Sequence, residues 1–139
     1  MSNSDAKTLL ERSYPAEPAQ LCEIRSVVTE LSRRQGLSDQ QAAEVALAIS
    51  EAVANVVAHG YRHEPGHTVR LSITRENARL VFLIEDDAPC LEPEKIVSRP
   101  LDELRPGGLG VHFMRALMSE VSHQPLEGGG NRLRMTREL

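Results

Sequence analysis

The sequence predicts an α+β fold: a two-layer sandwich in which helices cover one face of a mixed, mostly antiparallel sheet. Two observations carry this prediction. Apolar residues recur at helical spacing through most of residues 18–58, and strand-like segments follow in antiparallel hairpin pairs. A chain of 139 residues that is 40% hydrophobic and 26% charged has the size and composition of one globular domain. We therefore predict a single domain over residues 1–139, with residues 1–7 disordered.

The first half of the chain is expected to form an edge strand and two helices. The pattern of residues 8–14, which prolines follow, predicts a short edge strand. Helical periodicity then runs from residue 18 to about residue 35, where a glycine ends it. Ser38 is followed three residues later by Gln41, a capping box that opens a long helix to about Ala58.

The second half is expected to supply the rest of the sheet. Residues 68–74 alternate with a period of two, and residues 79–85 are nearly all apolar, which predicts a central strand. Residues 87–108 are too long and irregular for an ordinary connection, so they predict a functional lid or a disordered loop. The remaining elements are a helix and two strands at residues 109–118, 120–125 and 132–137, with a turn at 128–131.

Composition excludes several classes of function. The net charge is −4, the basic residues are scattered, and only four residues are aromatic, which argues against direct nucleic-acid binding. The chain has no run of 18 apolar residues and no apolar segment near Met1, so we expect no membrane association and a cytoplasmic location. Cys22 and Cys90 lack metal-site spacing and are expected to be reduced thiols.

The long helix carries the first candidate site. Glu51 and Asn55 are four residues apart and therefore project from one helix face, with His59 one turn further on. An amide oxygen suits Mg²⁺, and a nearby glutamate suits general-base chemistry. Because the neighbouring residues are apolar, we favour a buried functional pair over a solvated polar pair. His59 could approach phosphates or could simply complement the helix dipole.

Two further motifs bear chemistry that fits a nucleotide. Asp86 ends the apolar strand and could accept a hydrogen bond from an exocyclic amine such as that of adenine, or it could merely face water. The glycine-rich turn at residues 107–110 could wrap phosphates with its backbone N–H groups, although such a pair of glycines often only makes a turn. Arg105 is the cation nearest to this turn and is expected to contact phosphate.

The order and spacing of these motifs resemble the GHKL ATPase superfamily. Within it, the chain resembles the anti-sigma-factor serine/threonine kinases of bacterial partner-switching systems. The segment from Glu51 to Tyr61 resembles their N-box, the segment from Ile84 to Pro93 their Asp-x-Gly-x-Pro-Phe-Asp-Pro block, and the segment from Gly107 to Met118 their second glycine box. The resemblance covers the chain from about Thr8 to Arg137.

The resemblance implies roles for individual residues. Glu51 would be the catalytic base, Asn55 would bind Mg²⁺ and Asp86 would bind adenine. The remaining residues expected to contact nucleotide are His59, Ala88, Arg105, Gly107, Gly108, Leu109, Gly110 and Val111. The sequence departs from the family pattern where Ala88 replaces a glycine, and where Leu91 and Glu92 replace phenylalanine and aspartate. The methyl group of Ala88 adds bulk near the expected purine edge and restricts the backbone.

Two functions remain open at this point. The resemblance implies a kinase that uses ATP and Mg²⁺ to phosphorylate an anti-anti-sigma factor, a STAS-domain antagonist, and that sequesters a sigma factor. The alternative is a non-catalytic anti-sigma or adaptor module in which Ala88 has weakened ATP use. A homodimer is left open in either case.

Overall fold

The computed structural model describes residues 6–89 and 116–139, and these form one antiparallel sheet with a helical layer. The helices are α1 (Leu21–Arg34), which follows a 3₁₀ turn at Pro18–Gln20, and α2 (Asp39–Asn55), which passes into a π-helical turn at Val56–Gly60. The strands are β1 (Ala6–Pro15), β2 (Thr68–Glu76), β3 (Arg79–Asp86), β4 (Glu120–Pro125) and β5 (Asn131–Glu138).

The five strands are ordered β1-β2-β3-β5-β4, and each neighbouring pair is antiparallel. The predicted α+β sandwich is confirmed, with β1 at one edge and β3 at the centre. β5 is inserted between β3 and β4, so two strands that follow each other in the chain, β3 and β4, do not pair with each other.

The boundaries of several elements differ from the prediction. β1 begins at Ala6 because β2 extends to Glu76 and supplies a partner, so the expected disorder of residues 1–7 is wrong for residues 6 and 7. The turn between β2 and β3 shrinks to two residues, and Asn77 adopts the left-handed conformation, with φ of 55°, that such hairpins require. Asn131 belongs to β5 rather than to the preceding turn.

The helical layer is held by one apolar core. The capping box at Ser38 and Gln41 is present, with the Ser38 hydroxyl accepting from the Gln41 N–H at 3.1 Å and the Gln41 side chain accepting from the Ser38 N–H at 2.9 Å. α1 packs against α2, and α2 contacts β3. The largest fully buried side chains belong to both layers: Phe82, Ile24, Ile49, Leu71, Ile73, Leu80, Ile84, Met135, Val28, Val45 and Val53.

The segment Asp39–Gly60 has the length and the mean hydropathy, 1.3, of a membrane span, although half of its most apolar window is buried in the fold. A core helix passes the same test of composition. Since this segment packs on α1 and on the sheet, its apolar character is accounted for by the core.

The outer face of the sheet, away from the helices, is polar. Glu85 on β3 lies between two arginines, with Arg132 Nε 2.6 Å from one carboxylate oxygen and Arg70 Nε 3.5 Å from the other. Arg70 also reaches Asp87 at 3.3 Å. Successive side chains of a strand point to opposite faces of the sheet. With Glu85 held among these arginines on the outer face, the residues on either side of it in β3 face the core.

Candidate functional site

Asp86 is the last residue of β3 and lies on the inward face of the sheet. Alternate residues before it, from Leu80 to Ile84, are buried, so the period of two brings the Asp86 carboxylate to the same side as the core. Its side chain is only 5% exposed. A carboxylate this deep must be compensated by hydrogen-bond donors.

Both donors reach the same oxygen of Asp86. Oδ1 accepts from the backbone N–H of Ala88 at 2.9 Å and from Nδ2 of Asn131 at 3.0 Å. Burial raises the pKa of Asp86, whereas these two hydrogen bonds act in the opposite direction. Within residues 6–89 and 116–139, no hydrogen bond reaches Oδ2. That oxygen is therefore the one able to accept from a ligand.

Asn131 was not among the predicted site residues, and neither was the glycine before it. Asn131 lies directly opposite Asp86 in the β3–β5 ladder and is also 5% exposed. Gly130 has φ of +101°, and a Cβ atom built on it would lie 2.3 Å from the carbonyl oxygen of Asp86. The run of three glycines before Asn131 predicted a turn, and the close approach of the backbone to Asp86 is why the last of them must be glycine.

Glu51 and Asn55 lie on α2 as predicted but are half-buried rather than buried. The residues around them on the helix, Ala48, Ile49, Ala52 and Val53, are buried, which places the polar pair at the border of the core-facing stripe. Within the described residues, neither side chain makes a hydrogen bond or an ion pair. Both are therefore available to a ligand, and the arrangement suits metal binding by the amide and proton transfer by the carboxylate.

His59 and Ala88 line the same cleft, at the end of the long helix. The chain widens into the π-helical turn here, because the Tyr61 N–H donates to the carbonyl of Val56, five residues back. His59 is exposed in this turn, and it lines an open cleft of about 460 Å³ together with Ala88. Glu51, Asn55 and Asp86 are not among the residues that line this cleft.

The methyl group of Ala88 is accommodated by Gly60. Ala88 is 2% exposed, and a Cβ atom built on Gly60 would lie 3.1 Å from the Ala88 Cβ atom. Ala88 is also not among the described residues with positive φ, so its backbone does not need a glycine. The expected restriction of the backbone is therefore no obstacle at Ala88, while the expected crowding of a purine by its methyl group remains a prediction.

Tyr61 ties the end of the helix to the segment after Asp86. Its hydroxyl donates to the Thr68 carbonyl at 2.8 Å and accepts from the Asp87 N–H at 2.8 Å, while its ring stacks on His67 with centroids 4.3 Å apart. Burial raises the pKa of Tyr61. No sequence pattern predicted this role, because Tyr61 stands out only as a tyrosine after an apolar helix.

The glycine turn and its neighbours lie outside the described residues, which leave out 90–115. This applies to Arg105, Gly107, Gly108, Leu109, Gly110 and Val111, and to most of the predicted lid. Their assignment to phosphate binding remains a prediction from the sequence.

Comparison with known proteins places the chain among nucleotide-binding domains. Residues 14–137 match the family described as the histidine kinase-like ATPase domain. The chain is 27% identical to the serine-protein kinase RsbW of Oceanobacillus iheyensis over 129 residues, which cover 87% of this chain and 80% of that protein. Its identity to the Bacillus subtilis protein of the same name is also 27%, over 86% of this chain and 79% of that protein.

Two solved structures share the fold. The SiaB–SiaC complex of Pseudomonas aeruginosa aligns with a TM-score of 0.72 at 17% identity, covering 97% of this chain and 92% of that chain. The RsbU and RsbW domains of a Mycobacterium tuberculosis protein align with a TM-score of 0.63 at 20% identity, covering 94% of this chain and 31% of that longer chain. With the match over residues 14–137, the sheet order and the inward-facing Asp86, these findings show that the chain belongs to the histidine kinase-like ATPase domain family.

Proposed function

We propose that this protein is a cytoplasmic anti-sigma factor and serine/threonine kinase that binds ATP with Mg²⁺, phosphorylates an anti-anti-sigma factor and sequesters a sigma factor. The observation that carries the proposal is the Asp86 carboxylate, which is 5% exposed; one of its oxygens accepts two hydrogen bonds, and the other accepts none from the described residues. The relatives are named serine-protein kinases, and their similarity extends over most of this chain. Their names therefore support the choice of reaction.

The described residues fit a purine nucleotide. A buried carboxylate with one oxygen that receives no hydrogen bond from the described residues suits an exocyclic amine, which would supply the missing donor. On the helical layer above it, Asn55 offers a neutral oxygen for Mg²⁺ and Glu51 a carboxylate without an intramolecular partner in the described part. When bound, Mg²⁺ would neutralise charge on the transferred phosphoryl group.

The chain's own residues then have separate tasks. Asp86 would bind and orient the base, and Asn55 would hold Mg²⁺. Glu51 takes the proton from the acceptor hydroxyl as the oxygen attacks the γ-phosphorus and the bond to the β-phosphate oxygen breaks. We propose that His59, which is exposed at the end of the same helix, contacts the phosphates, as the family resemblance implies.

The binding-module alternative rests on Ala88, whose methyl group was expected to crowd the purine. Two observations support ATP use despite this alanine: Gly60 leaves room for the methyl group, and the N–H of Ala88 donates to Asp86. We therefore propose that the alanine is compatible with ATP use.

The test separates catalysis from binding on one helix. Glu51→Gln keeps the shape but removes the base, so transfer of labelled phosphate to the antagonist should fall about 10²–10⁴-fold while nucleotide affinity stays within a few-fold. Asn55→Ala should weaken Mg²⁺-ATP binding itself. Glu44→Gln, the same change two turns earlier on α2, is the matched control and should leave both properties unchanged.

A thermal-shift measurement checks the premise. Millimolar Mg²⁺-ATP should raise the melting temperature of the wild type, because a ligand selective for the folded state stabilises it by mass action. An unchanged melting temperature would favour the binding module. Wild-type transfer by Glu51→Gln would refute the assignment of the base.

A further inference from the structure

The amide of Asn131 can adopt only one orientation. Its Nδ2 atom lies 3.0 Å from Oδ1 of Asp86, 3.3 Å from the carbonyl oxygen of Ala88 and 3.3 Å from that of Pro89. All three neighbours are acceptors. A flipped amide would place an oxygen against three oxygens in a site that is 5% exposed, and the repulsion would be unscreened.

His123 completes this arrangement from the neighbouring strand. With Nδ2 turned toward Asp86, Oδ1 of Asn131 faces Nε2 of His123 at 2.9 Å and needs a donor there. His123 must therefore carry a proton on Nε2. Its Nδ1 atom is buried and has no hydrogen-bond partner among the described residues.

The chain His123–Asn131–Asp86 therefore fixes the carboxylate in position and in rotation. Oδ1 of Asp86 receives two donors, from Asn131 and from the backbone of Ala88, and these hold the plane of the carboxylate. Oδ2 is left to face a ligand. Without the Asn131 amide, the single bond from Ala88 would allow the carboxylate to rotate about its terminal torsion, which is broad for aspartate.

We propose that Asn131, whose amide oxygen is held by His123 while its amide nitrogen holds Asp86, is a positioning residue that determines how strongly the site discriminates purines bearing an exocyclic amine from those without one. Neither residue touches the nucleotide in this proposal; both act through the carboxylate of Asp86. The inference rests on the proposed function, since it requires that Asp86 accept a hydrogen bond from the base.

The test compares two ligands that differ by one group. ADP and purine riboside diphosphate, which lacks only the amine, are titrated into the protein with Mg²⁺ by calorimetry. The wild type should bind ADP about 10- to 100-fold more tightly than the analogue, the range expected for a hydrogen bond to a charged acceptor. Asn131→Leu, similar in volume but unable to donate, should reduce this ratio to within about threefold. A packing defect would weaken both ligands by the same factor and leave the ratio unchanged.

Two substitutions at His123 provide a second test, which can be carried out even if the Asn131 variant does not fold. His123→Gln retains an N–H near the position of Nε2 and should preserve the ratio, whereas His123→Leu should lower it. The nitrogen chemical shifts of His123 in the wild type should show a proton on Nε2.

The outcomes separate this inference from the proposed function. If the wild type discriminates the two ligands but Asn131→Leu and His123→Leu retain the wild-type ratio, positioning through Asn131 is refuted and nucleotide binding stands. A His123 ring with its proton on Nδ1 alone would also refute it. If the wild type binds neither ligand, the proposed function is overturned, and the inference with it.

Discussion

Replacing Gly130 by alanine tests how closely the turn before β5 must approach Asp86. Gly130 has φ of +101°, and the added methyl group would lie 2.3 Å from the carbonyl oxygen of Asp86 and 3.3 Å from the Cα atom of Asp87. The clashing atom of Asp86 belongs to the backbone of the central strand, so it cannot rotate away as the end of a side chain could. Gly129 provides the matched control, because its φ is +110° and a methyl group there would meet nothing within 4 Å.

The two substitutions share one cost and differ by another. Forcing a residue with a Cβ atom into a left-handed backbone costs about 1–2 kcal/mol, and both variants should lose this much. Inserting a methyl group into a packed site costs about 1–3 kcal/mol more, and only Gly130→Ala should lose it. We therefore expect Gly130→Ala to lower the free energy of unfolding by about 2–5 kcal/mol. For a chain of 139 residues, each kcal/mol corresponds to roughly 3–4 °C in melting temperature.

Chemical unfolding of both variants measures the difference, and nucleotide titration measures its effect on the site. Gly130→Ala should also weaken Mg²⁺-ADP binding, because the clash is relieved only by displacing the end of β3 that carries Asp86. Equal destabilisation by Gly129→Ala and Gly130→Ala would refute the reasoning, since it would show that the turn does not press on the strand.

Two further predictions concern the buried titrating groups. Burial raises the pKa of Asp86, so the folded state binds its proton more tightly than the unfolded state, and stability falls as the pH rises from the ordinary value of 3.8 through the folded value. Asp86→Asn should remove this loss and leave the protein at least as stable as the wild type at pH 7 by thermal unfolding, while abolishing nucleotide binding; a large loss of stability would contradict it. Tyr61→Phe removes the partner of the Thr68 carbonyl and of the Asp87 N–H and should cost about 1–3 kcal/mol in urea unfolding. Because the pKa of Tyr61 is also raised, the wild type should lose stability as the pH rises above 10.0, and the variant should lack that component of the alkaline slope.

The local patterns of the sequence predicted most of the fold. The capping box at Ser38 and the nearly continuous apolar run of β3 depend on residues a few positions apart, and both are found where the patterns indicate. The π-helical turn at Val56–Gly60 could not be predicted in this way. The residues there are apolar almost all round, so a change of helical pitch leaves no trace in the pattern of polar and apolar residues.

The candidate site was predicted only where its residues lie in recognisable motifs. Asp86 ends an apolar strand, and Glu51 and Asn55 are polar residues in an apolar helix, so each stands out from its neighbours. Asn131 does not stand out, because an asparagine after three glycines is typical of a turn. Its importance depends on the register between β3 and β5, which pairs residues 45 positions apart, and no local pattern specifies that register.

The insertion of β5 between β3 and β4 has a consequence for synthesis on the ribosome. Until residues 131–138 have emerged, β3 can pair with β2 on one side but has no partner on the other. The apolar residues on its inner face then lack the neighbours that β5 supplies. The Asp86 carboxylate also lacks its amide donor during that interval. If the proposed nucleotide site depends on that donor, bound nucleotide would stabilise the chain only after β5 has paired with β3.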